Sequence, residues 1–497
     1  MKLTNFLKKN WLIILIVVFG LFLRLYRIEP RFMYSHDQDL AGWFIRDVLF
    51  NKHLRLIGQE TSIPGVFIGP VFYYLLIPFY LLFGLSPVGG QAFVLVLSIL
   101  TIVSIYFVFE KIFNRKFGLI GAFIYSVSFY FVLNNVEVVP TMPISLWSIW
   151  FLYSLFLLLK GKKFGYILSL GLIAFAWNIS FVLVLLALLI PVSILISKKK
   201  FNIKYLALGA LAFLIILSPF LFFEAKHDFQ QIRAVFSTLA GKNTNNIYYK
   251  YSLTDESNKV WNIVFKNTTR IFFRQTALVA DWLPFFVIVL PSVWIFFSNK
   301  EDRKIGILLG FWILTHVVFF TFSKISLSEY YFNSLNVVWV LLITQIIFYL
   351  FNQRVLRWLG YVLLTLIAAV GIYRLLTFSE NNSGYVERKA LIDFMKSDSI
   401  KRNYDCVSIS YITEPGYDLG YRYIIWFDKL KLKRIQENIP VYTIVFPLSK
   451  VGRTDKNFGV LGLVLPDYKR YTEDQVSKNC QGEDANVTDS MILFTAK

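Results

Sequence analysis

Long uninterrupted apolar blocks constrain this chain more than any other feature. Most run roughly seventeen to twenty-three residues with almost no charge inside, the length at which a helix crosses about 30 Å of hydrocarbon. They lie near residues 11–27, 66–84, 90–109, 117–133, 141–159, 164–176, 177–197, 205–223, 276–298, 305–323, 330–351 and 356–376. Composition agrees: 56% of the 497 residues are apolar and 16% charged, against about a quarter charged in soluble proteins. Disordered chains, coiled coils and ordinary water-soluble enzymes are excluded. The pattern reads as an all-α polytopic membrane protein.

The net charge of +20 belongs with that reading, since Lys and Arg collect in cytoplasmic loops and beside anionic headgroups. No basic–aromatic module accompanies it, so no nucleic-acid partner is expected. The head carries Lys2, Lys8 and Lys9, which places the N-terminus inside. Short basic loops follow at Lys111–Lys116, Lys160–Lys163, Lys198–Lys204, Lys300–Lys304 and Arg354–Arg357, whereas the alternate loops 134–140, 177–178 and 324–329 hold one cation, Lys324. All the basic loops share the N-terminal side only if 66–84 does not span. Gly69, Pro70 and Pro78 interrupt that block, so it reads as a helix dipping into the outer leaflet. Residues 39–51 read as an amphipathic helix lying in the interface. The expectation is a multi-pass protein of a bacterial-type plasma (inner) membrane, with about eleven transmembrane helices, the N-terminus cytoplasmic and the C-terminus outside.

Two units follow: a transmembrane unit, 1–376, with external loops 28–89 and 224–275, and a small α+β extracytoplasmic domain, 377–497. The latter reads as a helix at 387–397 and strands at 406–412, 421–427, 441–446, 460–465 and 491–495. Cys406 and Cys480 either bridge there, in an oxidising compartment, or remain free thiols. The four histidines are scattered, so a structural zinc is not expected, and nothing points to an organic cofactor.

Polar residues cluster at few places outside the blocks. The run Ser35-His36-Asp37-Gln38-Asp39 either caps the following helix or presents carboxylates at the membrane surface, where a lipid-linked headgroup would meet a polar acceptor. Glu137 is the one acid between Lys116 and Lys160, on the same side as Asp37 by the charge argument. Glu224, Lys226 and His227 follow the end of a span, where a capped, snorkelling helix end is the stronger reading. Lys324 and Tyr330 belong to the run KISLSEYY, whose lysine could meet a phosphate. Asp281 and His316, in or near spans, are functional candidates or structurally paired groups.

The runs HDQDLAGWFIRDVL, LIGQETSIPGVFIGPVFYYLLIPFYLLFG, EKIFNRKFG and LSPFLFFEAKHDF resemble the GT-C superfamily of membrane glycosyltransferases, in the branch similar to protein O-mannosyltransferases and lipid A aminoarabinose transferases. The motifs cover roughly the first 230 residues, and the tail run EPGYDLGYRYIIWF is a weaker likeness. The resemblance implies a polyprenyl-phosphate sugar donor, an inverting transfer to an acceptor (lipid, glycan or protein), and Asp37 as general base. Glu137 matches a second external acid. Asp39 completes an Asp-x-Asp that resembles a metal site, so a divalent metal, Mg or Mn, is a further expectation at Asp37 and Asp39. Asp39, Gln38, Arg46, Tyr73, Glu224, His227, Lys324 and Tyr330 are the expected substrate contacts, with Lys226 and Arg55 as further cations for the leaving phosphate. The chain departs from the branch at Val138-Val139-Pro140, where relatives carry Trp-Asn-Pro, and at Ile68, where His is common. Rival readings are a flippase or transporter of lipid-linked glycans and a non-catalytic glycan-binding membrane protein; near charge-free spans argue against the first.

Overall fold

The apolar blocks fold as helices, and the polar punctuation between them sets where each begins. A computed structural model describes residues 2–61, 63–239, 252–272, 280–323, 325, 327–379 and 382–481. The first half runs α1 (Lys2–Leu25), α2 (His36–Phe50), α3 (Val71–Leu82), α4 (Val88–Ile112), α5 (Arg115–Val127), α6 (Phe129–Asn134), α7 (Ile144–Leu159) and α8 (Phe164–Ala176). A 3-10 helix (Phe181–Leu188) leads into α9 (Leu189–Ser197), α10 (Ile203–Lys226), α11 (Gln230–Leu239) and α12 (Leu253–Phe272). Then come α13 (Trp282–Ser298), α14 (Lys300–Phe322), a 3-10 turn (Glu329–Phe332), α15 (Leu335–Asn352) and α16 (Arg357–Leu376). Three basic loops end in an asparagine that caps the next helix: Asn114, Asn202 and Asn299 accept the backbone N–H groups of Phe117, Tyr205 and Glu301.

Among the described residues five helices, α4, α10, α14, α15 and α16, are long and apolar enough to cross a membrane; α3, α7, α8, α13 and the 181–197 segment are apolar but shorter. The protein is a multi-pass membrane protein. At 12 residues, α3 is only about 18 Å long, well short of the hydrocarbon thickness. The inner core is built where α4, α5, α7 and α15 meet, through Ile105, Phe109, Phe117, Leu155 and Leu341, all fully buried.

Several expected boundaries move. The block 117–133 is two helices, because Ser128 takes an extended conformation (φ −65°, ψ 123°) and its hydroxyl donates to the Ile271 carbonyl at 2.6 Å. The block 177–197 begins as 3-10 rather than α-helix. The stretch 224–275, expected as a polar loop, holds α11 and α12. In α12 Val260, Val264, Ile271 and Phe272 are buried together with Asn267, Thr268 and Thr269, so polar composition hides a half-buried amphipathic helix.

After the bundle, α17 (Tyr385–Lys401) packs on a sheet of β1 (Ser408–Thr413), β2 (Val441–Phe446), β3 (Lys456–Phe458) and β4 (Leu461–Val464), in the order β1-β2-β4-β3. β1 and β2 are parallel, with Ser408 opposite Val441; the other two pairs are antiparallel. The run 421–427, expected as a strand, is instead helix α18 (Arg422–Phe427), and α19 (Glu473–Asn479) ends the described chain. The expected strand at 491–495 lies outside the described residues. Cys406 and Cys480 form a disulfide, their Cα atoms 5.7 Å apart.

This lobe is seated on α2. The Asp39 carboxylate accepts the Tyr423 N–H at 2.8 Å, satisfying a free donor in the first turn of α18. That cap from another part of the chain is why an aromatic, β-branched run adopts helix. The Tyr423 ring lies against Gly42, where a Cβ would come within 2.4 Å of it. The Arg46 guanidinium sits over Trp43 at 4.9 Å and Trp426 at 5.4 Å.

Candidate active site

Helix α2 divides its side chains between two neighbours. Ser35 precedes it, and the Gln38 side chain folds back to accept the Ser35 N–H at 2.8 Å. The Gln38 amide also donates to the Val138 carbonyl at 3.3 Å. That single side chain ties the first turn of α2 to the 134–140 loop, and so brings Asp37 and Glu137 to one space. The loop is held from below: Asn135 donates to Ser98 (3.1 Å) and to the Tyr125 hydroxyl (3.0 Å), and the buried Arg24 donates from Nε to Ser98 at 2.5 Å.

Asp37 and Glu137 line a cavity of about 1090 Å³. Its polar end also carries Gln59, Glu60, Tyr130, Asn267, Arg270 and Asn333. Its other end is apolar, lined by Phe181, Val182, Leu185, Phe213, Leu217 and Phe220 from the 3-10 helix and α10. The cavity thus offers carboxylates and one guanidinium beside a greasy slot.

Burial pushes the Asp37 carboxyl above the usual carboxylate range, opposed by His36 and by the Gln59 side chain. Burial first, and then the neighbouring Asp37 charge, raises Glu137 to about 7. Two carboxylates in one poorly hydrated space do not ionise together, and a charge on Asp37 disfavours one on Glu137. The place of Asp37 in the first turn of α2 favours its anion. Burial lowers the His36 imidazole, with Arg422 adding to that effect and Asp37 opposing it.

The remaining expected contacts scatter. Tyr330 lines the cavity, and Tyr73 stands behind it, donating to Gln59 Oε1 at 2.9 Å. Asp39 turns away: residues two apart on a helix do not face each other, and its carboxylate is held by α18 and lifted by burial to about 7. Asp37 thus lines the cavity while Asp39 is engaged by α18, and no group of three or more His, Cys, Asp or Glu among the described residues has metal-ligand geometry. Arg46 is spent on two tryptophans, and Arg55 pairs with Asp47 at 2.5 Å; neither reaches the cavity. Glu224 is fully buried and caps α11, accepting the N–H groups of Gln231 (3.4 Å) and Ile232 (3.1 Å). His227 stacks on Phe223 with ring centroids 4.1 Å apart, and Lys226 is exposed. Lys324 lies outside the described residues.

In place of those cations the cavity holds Arg270, which pairs with Glu329, and beside it Asn267, whose buried Nδ2 has no hydrogen-bond partner among the described residues. Both sit on α12 one turn apart. Sequence reading missed them because the helix itself looked like a loop; the spacing of Val260, Val264 and Ile271 was the available signal. Gln59 was also missed, although it lies inside one of the quoted motifs. His316, buried in α14, bonds the Ser334 hydroxyl at 2.9 Å and does not line the cavity. Asp281 precedes α13, and its carbonyl accepts the Thr269 hydroxyl at 3.2 Å.

Residues 68–223 match the family described as dolichyl-phosphate-mannose-protein mannosyltransferases. No curated protein sequence gives a significant match. The fold is similar to that of ArnT from Cupriavidus metallidurans bound to undecaprenyl phosphate, at 11% identity and a TM-score of 0.62, covering 92% of this chain and 98% of that one. The apo state of the same protein matches with a TM-score of 0.59 at 11% identity, covering 93% of this chain and 99% of that one.

Proposed function

We propose that this chain, a GT-C membrane glycosyltransferase related to the O-mannosyltransferases and ArnT, moves a sugar from a polyprenyl-phosphate donor to an acceptor hydroxyl at the extracytoplasmic face. The observation that carries the reading is the cavity itself. Asp37 and Glu137 share its polar end with Arg270, and an apolar slot opens beside them. The binding of undecaprenyl phosphate by the structurally similar ArnT supports a donor of that class.

In this reading the isoprenoid lies along Phe181, Leu185, Phe213 and Phe220, and the phosphate reaches Arg270 and the free Asn267 amide. Asp37 takes the proton of the acceptor hydroxyl. The oxygen attacks the anomeric carbon from the side opposite the phosphate. The bond from that carbon to the phosphate oxygen breaks, and the electron pair leaves on the polyprenyl phosphate. Arg270 and Asn267 meet the negative charge that develops there, the point at which fixed donors accelerate a reaction most. One displacement inverts the anomeric carbon. Glu137 keeps its proton up to about pH 7, so the site avoids a second negative charge beside the donor phosphate.

General-base help is worth about 10²–10⁴ in rate, so Asp37→Asn should lose at least that much turnover while inserting normally. The assay incubates membranes with a panel of radiolabelled polyprenyl-phosphate sugars and follows label into product. Near-normal turnover by Asp37→Asn would refute the base assignment.

A further inference from the structure

A smaller pocket, of about 50 Å³, adjoins the polar end of the cavity. The two share Tyr130, Asn134, Glu137, Val139, Thr141 and Asn333 as walls. Beyond Glu137 the small pocket adds Ser145 and Asn336, with Met142 and Ile144 as apolar neighbours. Its volume takes a few water-sized groups. A sugar ring does not fit there, but one short arm of a ring does.

Most of its polar wall is already committed. The Tyr130 hydroxyl donates to Asn333 Oδ1 at 3.0 Å, and the Asn336 N–H donates to the Asn333 carbonyl at 3.2 Å. Ser334, between the two asparagines, accepts the Trp312 indole N–H at 3.3 Å and bonds the His316 ring at 2.9 Å, which fixes this start of α15 in the bundle. Across the pocket the Asn135 amide is spent on Ser98 and Tyr125. Asn336 is the exception. It is 4% exposed, and its Oδ1 has no hydrogen-bond partner among the described residues. A buried acceptor without a donor is costly and uncommon, so a donor entering the pocket is bound by relieving that cost.

We propose that this side pocket receives the hydroxymethyl arm of the donor sugar, its methylene against Met142 and Ile144 and its hydroxyl donating to Asn336 Oδ1. Asn336 is then a specificity residue that favours hexosyl over pentosyl lipid phosphates. The proposal rests on the reading of the large cavity as the site of a polyprenyl-phosphate sugar. It places the sugar ring between the phosphate contacts and Asp37, turned by the arm that the pocket holds.

The test compares matched donors on the full-length protein in nanodiscs: the undecaprenyl phosphates of glucose, mannose and galactose against those of xylose, lyxose and arabinose, which lack the arm. Donor affinity is read without any acceptor, from the concentration dependence of the melting temperature, and kcat/KM is measured for the sugars that are transferred. One hexose should bind at least about tenfold more tightly than its pentose counterpart, the worth of a hydrogen bond to a buried group, and kcat/KM should differ likewise. Asn336→Leu, similar in size but without the acceptor, should bring that ratio near one by weakening the hexose alone. Should that variant melt early, the 6-deoxy form of the preferred hexose carries the same test on the wild type, where it should bind about as weakly as the pentose. Equal binding within every pair, or none, overturns the proposal and leaves the pocket a water site. A hexose preference seen only in turnover with an acceptor also overturns it, as does one that survives in a stably folded Asn336→Leu. A preference in binding that Asn336→Leu abolishes, with no sugar transferred, would instead remove the transferase reading and leave the subsite standing.

Discussion

Asp39→Asn separates the two acids of the Asp-x-Asp run. The Asp39 carboxyl, 3% exposed, is raised by burial to about 7 from an ordinary 3.8. An acid whose folded value is raised contributes stability that is complete below its unfolded value and is lost as pH rises through the folded one. At about 1.4 kcal/mol per pH unit, of the order of 4 kcal/mol separates the two ends, and roughly 2–3 kcal/mol of it falls between pH 5 and 8. Asparagine keeps an oxygen for the Tyr423 N–H and never ionises, so it escapes this loss. Thermal unfolding in nanodiscs should therefore show wild-type stability falling from pH 5 to 8 more steeply than that of the variant, which keeps the raised acids Asp37 and Glu137 and gains on the wild type as pH rises to 8. Turnover should persist in Asp39→Asn and vanish in Asp37→Asn. Parallel stability curves for the wild type and Asp39→Asn would refute the burial argument, and an inactive but stably folded Asp39→Asn would return that acid to the reaction.

Three further outcomes follow from the same geometry. Arg270→Gln should raise KM for the lipid-phosphate donor roughly ten- to a hundredfold, the worth of a charge-assisted contact, as steady-state kinetics would show. Because Glu137 ionises near pH 7, donor KM should climb as pH rises through 7 in the wild type; Glu137→Gln should flatten that rise, and an unaltered profile would count against the shared site. Gly69→Ala places a Cβ 2.0 Å from Asn178 Oδ1 and 2.8 Å from the Trp177 ring. It should cost about 1–3 kcal/mol of stability as an overpacked contact, read as a lower melting temperature.

Kinship with a fold class was legible because membrane helices declare themselves locally. Charge-free length and the Asn residues closing the basic loops are properties of consecutive residues, and the bilayer enforces them one segment at a time. The carboxylate at Asp37 was legible for a similar reason, lying in a compact polar run with recognisable neighbours. Where competing local signals existed, position in the chain was not enough. Residues 421–427 have every intrinsic preference of a strand, and a carboxylate 384 residues away supplies the cap that makes them a helix.

What the chain's own order determined, then, is the helical membrane architecture, the short helices α2 and α3 that follow the first, the small sheet after residue 376, and two acids that line one cavity. Tertiary structure alone decided which polar groups meet. Gln38 bridges α2 to Val138 and joins Asp37 with Glu137; Asp39, two residues on, belongs to a different contact. Glu224, Arg46 and Arg55 are consumed by structural partners, while Arg270 and Asn267 enter the cavity from a helix disguised by polar composition. The physical reason is that a side chain's role depends on the direction it leaves the backbone and on what already satisfies it. Both are settled only when distant segments pack.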